Sequence, residues 1–164
     1  LIDICRLLRD RFPHHSITMS LVGDTLYWTQ KYRDHLQKKI VEYNLTGMCT
    51  LYPHTETPES VFRSHTLFTI ASHEEPFGRV VAEAQAFGLP VVAFDSGGIA
   101  EIVTNEKSGY CIPYGDTAAF TDAVGILIND PGRVDTMGKE GHRRAARYFN
   151  RDIQMPRITE HILM

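Results

Sequence analysis

Short apolar runs alternate along the chain with longer segments in which apolar side chains recur every three or four positions. The runs are rich in β-branched residues and end at glycine or polar residues, which is typical of strands. Continuous apolar strands are characteristic of parallel sheets covered on both faces. The pattern predicts strands over residues 16–22, 48–51, 67–71, 89–94 and 110–112.

The segments between these strands predict helices, and residues at their ends indicate the boundaries. Pro58 can open a helix, Gly88 is a typical residue after a helix end, and Asp116 is a favourable N-cap. The predicted helices cover residues 27–43, 58–64, 78–87, 99–103, 117–129, 133–149 and 153–161, and Leu1 falls within an earlier helix.

Repeated strand–helix units predict an α/β fold, with a Rossmann-like parallel sheet, helices on both faces and right-handed crossovers. Ligands of such sheets bind beyond the carboxyl ends of the strands. Gly23, Glu75 and Gly97 each follow a predicted strand, so the topology places them at one edge. The length fits a single domain over residues 1–164.

Composition and charge set milder limits on function. A net charge of −3 provides no general field for nucleic acid, so no nucleic-acid partner is predicted. Cys5, Cys49 and Cys111 are scattered without metal or redox spacing, which favours a reducing, cytoplasmic compartment.

The sequence gives little support for a membrane-spanning segment or a metal site. No apolar run approaches the ~20 residues that span a bilayer, although a peripheral contact with the inner face of a membrane stays open. Arg143, Arg144 and Arg147 form a basic helix face, and such faces are usually solvated. The adjacent His14 and His15 have poor spacing for one metal ion. No cofactor and no metal site are predicted.

The segment from residue 74 to residue 103, EEPFGRVVAEAQAFGLPVVAFDSGGIAEIV, carries most of the candidate chemistry. Glu75 precedes a Pro76-Phe77-Gly78 turn and then a predicted helix. The first amides of a helix are unpaired and lie at the positive end of its dipole, so they can bind phosphate without a lysine. The expected donors are the amides of Phe77, Gly78, Arg79 and Val80.

Glu83 lies about five residues into this helix, or ~7.5 Å along its axis. At that separation Glu75 and Glu83 are poorly placed to act together on one bond, but they can accept hydrogen bonds from two different sugars. Glu83 lies among apolar residues, where an unpaired carboxylate is costly to bury, and this favours a ligand role. Glu101 fits a structural role, as a helix cap or in a pair with an arginine, as well as it fits a ligand role, and His73 fits a surface histidine better than a ligand.

Six blocks occur in a fixed order along the chain. They are Leu21-Val22-Gly23-Asp24, Glu75-Pro76-Phe77-Gly78, Glu83-Ala84, Gly88-Leu89-Pro90-Val91-Val92-Ala93, Gly97-Gly98 with Glu101-Ile102-Val103, and Gly109-Tyr110 with Pro113-Tyr114-Gly115-Asp116. Together they resemble the donor-site signature of retaining glycosyltransferases of the GT-B fold, family 4 (glycosyl transferases group 1). The resemblance covers roughly residues 17–150.

The resemblance implies a role for each matching residue. Glu75 would hold hydroxyls of the transferred sugar at the catalytic centre, and Glu83 would hold the ribose hydroxyls. Gly23, Pro76 and the amides from Phe77 to Val80 would contact the sugar and the diphosphate. Leu51, Tyr52 and Pro53 would pass the nucleobase and contact it through main-chain atoms.

The resemblance also implies the substrates. The chain would be the C-terminal, donor-binding half of a retaining hexosyltransferase that uses a nucleotide sugar, foremost a UDP-sugar, without a metal ion. A missing N-terminal domain would bring the carbohydrate or lipid-linked acceptor, and the first strand would also be absent. The isolated piece is expected to bind nucleotide and to transfer little.

Three features depart from the family pattern. An Arg and a Lys that usually neutralise the leaving diphosphate have no counterpart, Tyr52 stands where Gly is common, and Thr66 stands where Asp is common. Other GT-B enzymes, such as a sugar-nucleotide epimerase, and a catalytically inactive nucleotide-sugar-binding domain stay open as alternatives. A dinucleotide-binding oxidoreductase would need Gly-x-Gly-x-x-Gly after the first strand, which the segment at Gly23 does not supply.

Overall fold

The structure is a computed structural model that describes residues 1–23 and 30–149. The start of the predicted helix 27–43 and the whole predicted helix 153–161 lie outside the described residues. The chain divides into two compact units, Leu1–Pro58 and a second that begins at Glu59. The prediction of one domain over residues 1–164 stays a prediction.

Within its described residues, the first unit contains two helices and two strands. In chain order these are α1 (Ile2–Arg11), β1 (Met19–Val22), α2 (Gln30–Glu42) and β2 (Cys49–Tyr52). β1 pairs with β2 in parallel, which puts Val22 opposite Tyr52 at the carboxyl ends of both strands.

The core of the first unit brings together Cys5 and Cys49, which the sequence spacing did not indicate. Both thiols are buried. The pKa of Cys5 is raised by its hydrogen bond to Cys49 and by burial, and the same hydrogen bond lowers the pKa of Cys49. Ile2, Ile40 and Leu45 complete this cluster.

The second unit is built around a three-stranded parallel sheet with the strand order β3-β4-β5. Its elements are α3 (Glu59–Arg63), β3 (Phe68–Ile70), α4 (Arg79–Ala86), β4 (Val91–Asp95), α5 (Ile99–Ile102), β5 (Gly109–Pro113), α6 (Thr117–Asn129) and α7 (Pro131–Tyr148). The central strand β4 is fully buried at Val91, Val92 and Ala93, as expected for a parallel strand covered on both faces.

The predicted α/β class and the parallel pairing are confirmed, while several bounds differ, among them that of β1, which begins at Met19 rather than at residue 16. The described strands form two parallel sheets, one in each unit, where the pattern predicted a single sheet. α7 begins at Pro131 rather than at residue 133, because the Asp130 carboxylate caps it by accepting from the Arg133 amide at 2.9 Å. Proline is well tolerated at the first position of a helix, since its missing N–H would be unpaired there.

The N-cap predicted at Asp116 is confirmed. Its carboxylate accepts a hydrogen bond from the Ala119 amide at 2.9 Å, and α6 covers the predicted residues 117–129. This boundary depends on local interactions alone, which explains why the sequence pattern predicts it well.

Two arginines of the basic face predicted on α7 form contacts within the second unit. Arg144 donates to the carbonyl oxygens of Ile102, at 2.8 Å, and Glu101, so that it covers the last carbonyls of α5. Glu101 therefore meets an arginine through its main chain. Arg143 pairs with Glu140 at 2.8 Å on the same helix.

α4 and α7 approach closely because α7 carries glycine where the two helices meet. A Cβ atom on Gly138 would lie 2.1 Å from the carbonyl oxygen of Gly88, just beyond the end of α4. A Cβ atom on Gly141 would lie 3.2 Å from the Cγ atom of Gln85. These contacts fix α4 against α7 at the end of α4 opposite to its N-terminus.

We expect Gly138→Ala to destabilise the protein by about 1–3 kcal/mol, since the added methyl group overpacks against a backbone carbonyl. Gly132→Ala is the matched control on the same helix, where the nearest atom is the Asp130 carboxylate oxygen at 3.4 Å. That control should be neutral or stabilise by up to about 1 kcal/mol, because alanine favours helix. Chemical denaturation measures both, and equal stabilities of the two variants would contradict the proposed close contact.

Candidate ligand-binding site

The turn between β3 and α4 places the Glu75 carboxylate at the start of a helix. Gly78 is the N-cap of α4 and has a left-handed backbone, with φ 86° and ψ 42°. Glycine adopts this conformation without strain. Since Gly78 has no capping side chain, Glu75 takes that role, and its Oε1 accepts from the Gly78 amide at 3.1 Å. The carboxylate is half-buried and fixed by the fold.

The turn that follows β4 contacts the main chain of Glu75 and fixes its position. The Gly98 amide donates to the Glu75 carbonyl oxygen at 3.0 Å. A Cβ atom on Gly97 would lie 2.0 Å from that oxygen, and a Cβ atom on Gly98 would lie 2.9 Å from the Cα atom of Phe77. The Ser96 hydroxyl donates to the His73 carbonyl oxygen nearby. The Gly97-Gly98 pair is therefore more than a turn, because it positions the segment that carries Glu75.

The start of α4 presents unpaired amides beside this carboxylate. Of the four predicted donors, the Gly78 amide is bound to Glu75. Among the residues that the structure describes, the amides of Phe77, Arg79 and Val80 form no hydrogen bond. The Val80 side chain packs into the core, so its role toward a ligand is limited to the main chain. The start of α4 can therefore bind an anion, and Glu75 beside it can accept from hydroxyl groups.

Glu83 lies in the middle of α4 and is half-exposed rather than deeply buried. Its Oε1 pairs with the Nε atom of Arg79 at 3.1 Å, and the Arg79 side chain is 87% exposed. Glu83 thus has Arg79 as its partner. A ligand can displace Arg79 at a low cost in free energy, because exposed ion pairs contribute little to stability. The sequence argument that Glu83 would be buried and unpaired is wrong in this respect.

A groove of about 640 Å³ runs along α4 and the end of α7, and both Arg79 and Glu83 line it. Its wall includes Phe149 and Phe77, which is 46% exposed. The rings of these two residues meet edge to face, with their centroids 6.0 Å apart. Glu83 is therefore accessible from a concave surface of the second unit.

The remaining predicted site residues lie in the first unit, at the carboxyl ends of β1 and β2. The Gly23 amide donates to the Tyr52 carbonyl oxygen at 3.3 Å, and Pro53 follows directly. No described atom lies within 4 Å of a Cβ atom built on Gly23. The Leu51 side chain packs on the core, whereas Tyr52 is 47% exposed.

Two aromatic side chains at the carboxyl edge of the second sheet are not among the predicted site residues. The His73 and Tyr114 rings meet edge to face at 4.7 Å, and Tyr114 also contacts Phe94. Tyr114 follows β5 just as Glu75 follows β3. The rule that ligands bind beyond the carboxyl ends of strands was therefore a usable signal for both residues.

Within the described part of the chain, no three His, Cys, Asp or Glu side chains are grouped to hold a metal ion. No helix in residues 1–23 and 30–149 is long and apolar enough to cross a membrane.

The sequence model of the family described as Glycosyl transferases group 1 matches residues 1–144. A D-inositol 3-phosphate glycosyltransferase of Nocardia farcinica is 33% identical over 143 residues, which are 85% of this chain and 31% of that protein. The capsular polysaccharide biosynthesis glycosyltransferase CapM of Staphylococcus aureus is 32% identical over 103 residues, which are 63% of this chain and 27% of that protein. The chain spans less than a third of the length of either relative.

Solved structures agree with this match. The crystal structure of HepE from Anabaena in complex with UDP-glucose aligns with 98% of this chain and 44% of its own, at 25% identity and a TM-score of 0.88. The fold is thus the α/β, Rossmann-like arrangement of GT-B glycosyltransferases.

The support of Glu75 by the glycine turn can be tested with two glycines that share a positive φ. Gly97 and Gly115 have φ of 57° and 86°, but no atom of the described residues lies within 4 Å of a Cβ atom on Gly115. Gly115→Ala should cost about 1–2 kcal/mol of stability through backbone strain. Gly97→Ala should cost a further 1–3 kcal/mol or so, because its methyl group overlaps the Glu75 carbonyl. Urea denaturation of both variants measures the difference, and equal losses would show that the contact with Glu75 is not close.

Proposed function

Because the chain belongs to the glycosyl transferases group 1 family, we propose that it is the donor-binding half of a glycosyltransferase and binds a nucleotide-activated sugar, foremost a UDP-sugar. The observation that carries the proposal is the pairing of open amides with the Glu75 carboxylate at the start of α4. The similarity to HepE, whose structure contains UDP-glucose, supports the choice of uridine nucleotide.

The chemistry of transfer explains why such a site is useful. Cleavage of the bond between sugar and nucleotide leaves negative charge on the outer phosphate. Amides that are already oriented at a helix start stabilise this developing charge without rearrangement. Glu75 accepts hydrogen bonds from hydroxyls of the sugar, which fixes the reacting carbon relative to the amides. The unpaired amides of Phe77, Arg79 and Val80 are the groups we assign to the diphosphate.

The ribose of the donor is assigned to Glu83, on α4. The Glu83 carboxylate suits the two vicinal hydroxyls of ribose, since it can accept from both. Gly23, Leu51, Tyr52 and Pro53 would pass the diphosphate and the base, mainly through main-chain atoms. The absence of described atoms within 4 Å of a Cβ atom on Gly23 is compatible with a ligand that approaches its backbone.

We assign the acceptor to none of the described residues of this chain. The names of the two relatives differ, since one refers to D-inositol 3-phosphate and the other to the biosynthesis of a capsular polysaccharide. We therefore propose only the shared chemistry, an alcohol of a carbohydrate or a lipid-linked carbohydrate. Donor binding without a divalent cation and transfer with retention are parts of the same proposal and derive from the family resemblance. The anomeric configuration of the product, read by NMR, decides the second point.

We expect Glu83→Ala to weaken UDP binding by about 1–3 kcal/mol, the cost of leaving polar groups without partners. The loss should be smaller for 2′-deoxy-UDP, because this ligand lacks one of the hydroxyls assigned to Glu83. Titration calorimetry of both ligands in the presence of EDTA measures the two losses together with the predicted independence of metal ions.

Glu140→Ala is the matched control, because Glu140 also pairs with an arginine one turn away but lies on α7, outside the site. It should leave both affinities unchanged. An unaltered affinity for UDP in Glu83→Ala would reject the ribose role, and a chain that binds none of UDP, GDP, ADP and their sugar conjugates would reject the proposed function.

A further inference from the structure

Arg79 carries a positive charge in the first turn of α4, at the end of the helix where the dipole favours negative charge. Its side chain is 87% exposed, and its ion pair with Glu83 places Nε 3.1 Å from Oε1. A cation at this position opposes the helix dipole. A contribution to the stability of α4 therefore does not account for an arginine at residue 79.

The ion pair with Glu83 does not explain the positive charge at the start of α4 either. An arginine that precedes its acidic partner by one turn has the less favourable orientation of such pairs. Exposure weakens the pair further through the solvent. The guanidinium is therefore held loosely by a carboxylate that the proposed function needs for another purpose.

The charges around the start of α4 show what Arg79 can offset. The Glu75 carboxylate is bound to the Gly78 amide and adds a negative charge where we place the diphosphate. The arginines of the basic face on α7 have other partners, since Arg144 donates to the carbonyls of Ile102 and Glu101, Arg143 pairs with Glu140, and Arg147 lies over the Tyr148 ring. A ligand with two phosphates would meet repulsion from Glu75 unless a cation approached it.

Resting on the proposed function, we propose that the Arg79 side chain exchanges partners when a nucleoside diphosphate binds. The ribose hydroxyls take the Glu83 carboxylate, and the guanidinium turns from Glu83 to the diphosphate at the start of its own helix. Helical side chains lean toward the N-terminus, so this direction is available to Arg79 by rotation of its side chain. The planar guanidinium matches the geometry of phosphate oxygens.

The exchange predicts that Arg79 distinguishes nucleotides by their phosphates. In titration calorimetry with UDP and uridine, Arg79→Gln should lose at least about tenfold in affinity for UDP, the scale of a hydrogen bond to a charged group. Its affinity for uridine should stay within about twofold, because uridine has no phosphate to contact. Arg79→Lys should retain most of the affinity for UDP, since it keeps the charge.

Arg143→Gln is the matched control, because it removes the same charge from an exposed ion pair outside the site. It should bind both ligands as the unaltered chain does, and thermal unfolding should show that all three variants are folded. The dependence of UDP affinity on salt should also be shallower in Arg79→Gln than in Arg143→Gln.

Several results would overturn the inference while leaving the proposed function intact. Equal affinity of Arg79→Gln and the unaltered chain for UDP would show that the guanidinium does not reach the phosphates. Tighter UDP binding would show that Arg79 only masks Glu83, and equal losses for UDP and uridine would show an effect on the ribose alone. If the unaltered chain binds none of UDP, GDP, ADP and their sugar conjugates, the proposed function fails and this inference fails with it.

Discussion

The candidate site depends on one close contact between two pieces of backbone. The turn after β4 reaches the turn before α4 so closely that a Cβ atom on Gly97 would lie 2.0 Å from the Glu75 carbonyl oxygen. Only residues without a side chain allow this approach. The Gly98 amide then donates to the same oxygen, which fixes the main chain of Glu75. Since the Glu75 carboxylate caps the Gly78 amide, the position of the acid and the start of the helix are set together.

The same helix is fixed independently at its other end. Beyond α4, the Gly88 carbonyl lies against Gly138 of α7, at a distance that excludes any side chain on Gly138. The direction of the α4 amides is therefore determined by contacts at both ends of the helix. Amides bind an anion well when their orientation is set before the ligand arrives, because no reorganisation is needed. The packing of glycines thus bears directly on the anion binding that we propose at the start of α4.

Local signals in the sequence predict much of this arrangement, whereas contacts between distant segments could not be predicted. The Asp116 cap and the bounds of α6 depend on neighbouring residues and match the prediction. The order of strands and glycine turns places Glu75 after β3, as expected for a parallel sheet. The support by Gly97 and the meeting of Cys5 with Cys49 arise from packing between segments far apart in the chain, on which a local pattern carries no information. The exposure of Glu83 was misjudged because the apolar neighbours of a helical residue do not reveal which face it occupies.

The two acids differ in how they are held, and this difference fits the two ends of a nucleotide sugar. Glu75 is bound to the main chain of its own turn, so its position does not depend on any flexible side chain. Glu83 is bound to an exposed arginine that solvent or a ligand can replace. A rigid acid suits the reacting sugar, where small displacements reduce the rate of transfer. An acid with an exchangeable partner suits ribose, where binding has to be reversible. The arginine that ribose displaces from Glu83 can then contact the diphosphate.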